Sequence, residues 1–286
     1  MPNLELQPKR TVSAFRRIAL GTWSTVGDPS VYGTLTLRVD ESLRYVEEYR
    51  QATGRRLTLT HLMCKAMGEV FREMPDANAI LRFNRIYLRQ RISVFFQVAL
   101  EDEGTGEIDL SGVLVEDADR KDLATVIDEF EAKVGTVRRG ADASLERTRQ
   151  TFKRLPYFLL KPFLTLVGFL SYTLNLDLRA LGLPKDAFGS VMVTNIGSLG
   201  IDEAYVPLVP YSRIALLIAM GAVKEEAVVE EGEIRVARLM RLNATFDHRV
   251  LDGSHCVVMS RVLRRCFEHP DESFGAIPAP AGAGVP

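Results

Sequence analysis

The sequence predicts one α/β domain, and three observations carry that expectation. A strongly amphipathic helix spans residues 58–74. Short strand-like runs, rich in β-branched and aromatic residues at 92–100 and strongly apolar at 190–194 and 214–220, alternate with helical patterns along the chain. No internal repeat and no linker divides the 286 residues, of which 47% are apolar, enough for one well-filled core.

The elements follow in order. In the first helix Leu59, Leu62, Met63, Ala66, Met67, Val70, Phe71 and Met74 recur at helical spacing, and Pro75 ends it. His61 falls near its start and reads as a polar-face residue. Residues 92–100 read as a strand, Gly104-Thr105-Gly106 as a turn, and 110–115 as a second strand. Asp119 is placed to cap a helix from Arg120 to about Val137, with Leu123, Val126, Ile127, Phe130 and Val134 on one face. Residues 190–194 and 214–220 are apolar enough for buried strands. Residues 223–229 and 234–242 flank Glu231-Gly232 and predict a hairpin. The last helix, about 254–268, carries Val258, Val262 and Cys266 beside Met259, Leu263 and Phe267, before Pro270. From 274 to 286 the chain is mostly Ala, Pro and Gly, with little to bury, and a disordered tail is expected.

Composition narrows the function. With 36 basic and 37 acidic residues and no long basic run, nucleic acid is not an expected partner. The three cysteines (Cys64, Cys256, Cys266) lack C-x-x-C spacing and do not combine with the four histidines at finger-like distances, so no metal is expected. They read as small buried hydrophobes of a reducing compartment. The N-terminus shows no apolar signal segment, and a cytoplasmic location is expected.

Most of the chemistry is concentrated in residues 245–253, Thr-Phe-Asp-His-Arg-Val-Leu-Asp-Gly. An apolar segment from 237 to 246 leads into His248, and Asp252 and Gly253 follow just before a helix. A histidine where a strand stops can reach a cleft, and an ordinary pKa near 6.5 suits proton transfer at neutral pH. The carboxylate and a glycine turn are suited to fixing the local geometry.

Six blocks, taken together and in order, resemble the catalytic domain of the dihydrolipoyl acyltransferases of 2-oxo acid dehydrogenase complexes. More distantly they resemble chloramphenicol acetyltransferase. They are Arg16-Arg17, residues 57–61 (LTLTH), 74–78 (MPDAN), 116–123 (EDADRKDL), 193–200 (VTNIGSLG) and 246–253 (FDHRVLDG). The resemblance covers about residues 10–273, a single catalytic domain. It implies a chloramphenicol acetyltransferase-like two-layer sandwich, a mixed β-sheet with helices packed on it. It also implies coenzyme A-dependent acyl transfer between thiols, without metal or covalent acyl-enzyme. His248 would take the proton of the coenzyme A or dihydrolipoamide thiol, a group only a few per cent ionised at pH 7. Thr194 stands where the family has a serine that donates to the oxyanion, with Asn195 beside it. Asp252 is expected to pair with Arg16 as a brace. The resemblance further implies a homotrimer in which His248 of one chain meets Thr194 of the next.

Three departures stand out. The sequence shows no lipoyl domain, so the acyl group is expected as free acyl-coenzyme A or on a lipoyl or acyl-carrier protein in trans. The family's Val-Pro-Val strand is here Leu110-Ser-Gly-Val-Leu-Val115. An apolar insertion also occupies about 151–185. Its uncharged part, 162–176, is short of the roughly 20 residues that span a bilayer. Packing on this or a neighbouring subunit, a lid or acyl-binding wall, and membrane-surface contact through 155–176 (helped by Lys153, Arg154 and Lys161) all remain open readings, with membrane contact the least favoured. The Pro/Gly/Ala tail offers little for docking trimers together, and a free trimer is expected. A rival to the enzyme is an inactive trimeric scaffold that keeps the fold.

Overall fold

The computed structural model describes residues 2–9, 29–101, 108–139 and 156–278. Arg16, Arg17, the turn at Gly104, Lys153, Arg154 and residues 279–286 lie outside these. A mixed six-stranded sheet organises the chain. Its strands are β2 (Ser30–Arg38), β5 (Val94–Glu101), β6 (Ile108–Val115), β7 (Val191–Asn195), β8 (Leu216–Glu230) and β9 (Glu233–Asp247), in spatial order β2-β9-β8-β7-β5-β6. The β8–β7 and β7–β5 pairs are parallel and the others antiparallel. A three-stranded sheet combines β1 (Leu6–Pro8), β4 (Arg85–Arg89) and β3 (Ala79–Arg82).

Helices cover one face of the large sheet. They are α1 (Asp40–Thr53), α2 (Leu59–Glu73), α3 (Leu123–Arg138) and α5 (Gly253–Glu268), with α4 (Tyr157–Gly168) in the insertion and a short α6 (Pro270–Phe274). The core is the seam between this helical layer and the sheet. Met63, Met67, Val70 and Phe71 of α2 meet Val94, Phe96, Val193 and Ile218 there, all buried. The alternation of each strand sends the next residues to the opposite face. There Phe95, Met192 and Leu217 meet Phe188, Val206 and Leu208 in a smaller cluster.

The expected mixed sheet with helices on it is the observed architecture. The hairpin is formed with Glu231 at φ 52° and Gly232 at φ 83°, the pair of positive φ values that a tight two-residue connection requires. The 214–220 and 223–229 runs are one strand, β8, joined across a bulge between Met220 and Val223. Residues 30–53, which gave no strong pattern, form an edge strand and α1.

Three local expectations are corrected. The third helix is capped by Asp122, whose side chain accepts from the Thr125 N–H at 2.7 Å. Asp119 instead lies in the preceding turn, because Asp117 takes a left-handed φ of 50° and delays the helix. His61 is fully buried: its Nδ1 closes a capping box on the Thr58 N–H at 3.1 Å, and its ring meets Phe130 edge-on at 4.8 Å. The ordered chain also runs past the expected boundary at 273. Phe274 and Ile277 pack against the core, and the Tyr45 hydroxyl donates to the Gly275 carbonyl at 3.0 Å.

The described part of the insertion packs on its own chain. α4 continues into a wider turn at Phe169–Thr173, and Val167 and Tyr172 are buried. Its outer side exposes Phe158, Leu166 and Phe169. No helix among the described residues is long and apolar enough to cross a membrane.

Candidate active site

His248 follows the last residue of β9, as the strand-end reading expected. Its backbone is held by an N–H bond to the Pro29 carbonyl at 2.9 Å. Its Nδ1 lies 3.0 Å from the Leu251 carbonyl oxygen. A carbonyl can only accept, so Nδ1 carries the proton and the ring's lone pair is on Nε2. The ring is half-buried.

The turn that presents this ring is clamped by residues beside it. The nearly buried Asp247 carboxylate accepts from Arg249 Nη2 at 2.7 Å, from Nε at 3.0 Å and from its backbone N–H at 2.9 Å. The Val250 and Leu251 N–H groups both donate to the Asp247 carbonyl at 2.9 Å. Sequence reasoning passed over this clamp, although the Asp-x-Arg spacing around the histidine was its visible signal.

Asp252 serves a different element. Its carboxylate caps α5, accepting from the Ser254 N–H at 3.0 Å and the Ser254 hydroxyl at 2.5 Å. His255 Nδ1 stands 3.2 Å from the Asp252 backbone nitrogen and 2.8 Å from its Oδ1, so the protonation of this second histidine decides which contact it makes. The expected partner Arg16 is outside the described residues. Gly253 does not form a strained turn: it is the first residue of α5, and a Cβ there would meet nothing within 4 Å.

Thr194 sits one residue before the end of β7, half-buried. Backbone pairing places Thr34, Asn243, Ala219, Thr194, Gln97 and Gly112 in one row across the sheet, on the face away from the helices. Gln97 is therefore the immediate neighbour of Thr194, a position no local signal could have revealed. Asn195 anchors the strand end. Its Nδ2 donates to Thr60 Oγ1 at 3.1 Å, and its Oδ1 accepts from the Ser198 N–H at 3.1 Å. The following turn fits against β8 only because two glycines meet: a Cβ on Gly197 would lie 2.5 Å from the Gly221 carbonyl oxygen.

The structure does not bring His248 and Thr194 together within one chain. Thr194 is level with Asn243, two strands away, and His248 lies five residues further along the line of β9. At about 3.3 Å per residue and about 4.8 Å between strands, the two are roughly 20 Å apart.

The thiols are inert. Burial and the Asp252 charge push the Cys256 thiol up, and burial raises Cys64 to about 12 and Cys266 to about 11. None is a ready nucleophile. Among the described residues no three His, Cys, Asp or Glu side chains are grouped to hold a metal ion.

Residues 184–274, from the strand bearing Thr194 through His248 and α5, match the family model of the 2-oxoacid dehydrogenases acyltransferase catalytic domain. The dihydrolipoyllysine-residue acetyltransferase component of the Bacillus subtilis pyruvate dehydrogenase complex is 33% identical over 81 residues, 28% of this chain and 18% of that protein. The lipoamide acyltransferase component of the B. subtilis branched-chain alpha-keto acid dehydrogenase complex is 24% identical over 226 residues, 79% of this chain and 42% of that protein. The chain thus spans less than half the length of these relatives. Among solved structures, the cubic core of a pyruvate dehydrogenase multienzyme complex superposes with a TM-score of 0.64 at 15% identity, covering 93% of both chains. A probable dihydrolipoamide acetyltransferase from Listeria monocytogenes gives 0.62 at 14%, covering 98% of both. Dihydrolipoamide acetyltransferase from Azotobacter vinelandii gives 0.62 at 16%, covering 94% of this chain and 93% of that one. The family match thus lies over the His248-bearing third of the chain, and the fold is shared along nearly all of it.

Proposed function

We propose that this protein transfers an acyl group between thiols, with coenzyme A as one of them. The observation that carries the reading is the bond from His248 Nδ1 to the Leu251 carbonyl, which directs the ring's basic lone pair to Nε2. Nε2 takes the proton of the attacking thiol as its sulfur adds to a thioester carbonyl carbon. The carbonyl oxygen gains the negative charge, and the Thr194 hydroxyl donates to it. When the intermediate collapses, the carbon–sulfur bond to the original thiol breaks, and the departing thiolate takes the proton back from Nε2. No acyl-enzyme is formed, in keeping with three thiols held protonated.

Thr194 and His248 serve one reaction only if they come from different subunits. The separation of roughly 20 Å within a chain supports a homotrimer with its active sites between protomers. A lipoyl group or acyl carrier supplied in trans is the second thiol, and the cytoplasm is the setting. In the Azotobacter dihydrolipoamide acetyltransferase, a serine, a histidine and an asparagine four residues after that histidine have been studied for their role in the catalytic mechanism. Asp252 stands at that spacing here, as a helix cap rather than a proton relay. The intact histidine turn argues for an enzyme over an inactive scaffold.

The test is thioester exchange followed by release of coenzyme A thiol. His248→Ala is expected to lose about 10²–10⁴-fold in rate, and Thr194→Ala about 10²-fold or more. Each variant alone would be nearly silent. Co-refolding the two should restore activity, because mixed trimers contain interfaces with both groups intact. A His248→Ala rate equal to wild type removes the histidine from the mechanism. Silent mixtures that do form trimers remove the shared site.

A further inference from the structure

A cavity of about 740 Å³ lies between α4 of the insertion, the last turns of α3 and the sheet face that carries Thr194. Its size falls within the roughly 300–1,000 Å³ of small-molecule sites. Phe95 and Met192 line it from the sheet, Leu160 and Leu164 from α4, and Phe188 from the segment leading into β7. The far edge of the Phe95 ring lies over Gly112, where any Cβ would overlap it, and the ring packs against Phe188 at 5.3 Å between centroids. A larger residue at 112 would push that ring into the open space. The absence of a side chain there keeps the chamber clear.

Polar side chains are a minority of the lining: Gln97, Ser111, Lys133, Thr136, Lys185 and Tyr211. Lys133 is already engaged, its Nζ 2.6 Å from the Leu114 carbonyl and 2.7 Å from Glu129 Oε1. A sugar or a charged ligand would lose more hydration than so apolar a lining could replace, whereas a hydrocarbon has none to lose. Gln97, which also lines the cavity, is the cross-strand neighbour of Thr194, and Met192 precedes Thr194 by two residues on the same face. The apolar chamber therefore ends at the strand pair bearing the oxyanion donor.

We propose that this chamber takes the hydrocarbon chain of an acyl thioester. The carbonyl lies at the Thr194–Gln97 end and the tail against Leu160 and Leu164, so the protein handles medium- to long-chain acyl groups in preference to acetyl. The reaction at the carbonyl rests on the acyl-transfer reading, but binding of the chain does not.

The test therefore measures binding and turnover separately, on the full chain. Calorimetry with butyryl-, octanoyl- and dodecanoyl-coenzyme A should show affinity rising about fourfold per added methylene until the chamber is filled. Leu164→Trp, which fills the chamber from α4, should abolish that rise, and Leu160→Phe is the milder variant should the tryptophan disturb folding. Turnover with acetyl and octanoyl donors is then compared in wild type and both variants. Length-dependent binding without turnover of any thioester would keep the chamber and overturn the acyl-transfer reading. Turnover with neither binding nor rate responding to chain length would keep that reading and overturn the chamber. A length dependence that neither variant alters would also overturn it, since the chain would then bind elsewhere.

Discussion

The His248 turn and the Thr194 strand are held by different kinds of contact. At the histidine, among the described residues, the ring and its turn are held chiefly by residues 247–251: the Leu251 carbonyl, the Asp247–Arg249 clamp and the two N–H bonds back to Asp247, with the Pro29 bond added from outside. At the threonine, the supports come from Thr60 of α2, Gln97 of β5, the carbonyl of Gly221 and the walls of the insertion. A short, self-contained turn can be set by its own sequence. A site assembled from distant segments depends on the whole sheet being in register. Damage to the fold should therefore reach the surroundings of Thr194 first.

The largest expected effect tests that dependence directly. A Cβ on Gly221 would overlap the Asp202 carbonyl oxygen and crowd the Arg241 carbonyl, both backbone atoms with no side-chain freedom to yield. Gly221→Ala should cost about 3 kcal/mol or more in urea denaturation. In whatever folded protein remains, it should lower turnover through the Thr194 strand. An unchanged midpoint would mean that the bulge at Met220–Val223 relaxes, and the contrast between the two regions would weaken.

A second effect acts through pH. His61 sits at the start of the helix to which Asn195 is tied through Thr60. Burial, reinforced by the charges of Arg56 and Arg50, lowers its pKa to about 4. Glu131 is 3.8 Å from Nε2 and too exposed to reverse this. The folded value lies below the unfolded one near 6.5, so the unfolded chain binds the proton first. The stabilisation is complete above pH 6.5 and is lost as pH falls toward 4, up to about 3 kcal/mol. Melting temperatures across that window should fall more steeply in wild type than in His61→Gln. Parallel curves would assign the acid sensitivity to other groups.

The smallest effect belongs to the histidine turn. Asp252→Ala removes the cap of α5 and should cost about 1 kcal/mol. Because His248 is held by Leu251 and not by this carboxylate, its general-base step should persist. A loss as large as that of His248→Ala would show that Asp252 acts on the reacting groups, and the histidine turn would no longer be self-contained.

The legible parts of the molecule follow the same division. Helix α2 was readable because eight apolar residues at helical spacing leave no other way to bury them. The β8–β9 hairpin was readable because Glu231-Gly232 can adopt two positive φ values. Asp119 was misread as a cap because several nearby carboxylates could serve, and only the left-handed Asp117 shows where the helix begins. His61 was misread because its ring side was assigned from polarity, whereas Phe130 covers it from a helix about seventy residues away.

The sequence by itself determined the mixed α/β architecture, the histidine at a strand end and the helix after it. Those features depend on local spacing and turn chemistry. Tertiary structure alone decided that Gln97 neighbours Thr194 and that the insertion roofs an apolar chamber. It also decided that His248 and Thr194 lie far apart within one chain. Strand order and register fix those relations, and they arise from pairing between segments that carry no mark of one another in the chain.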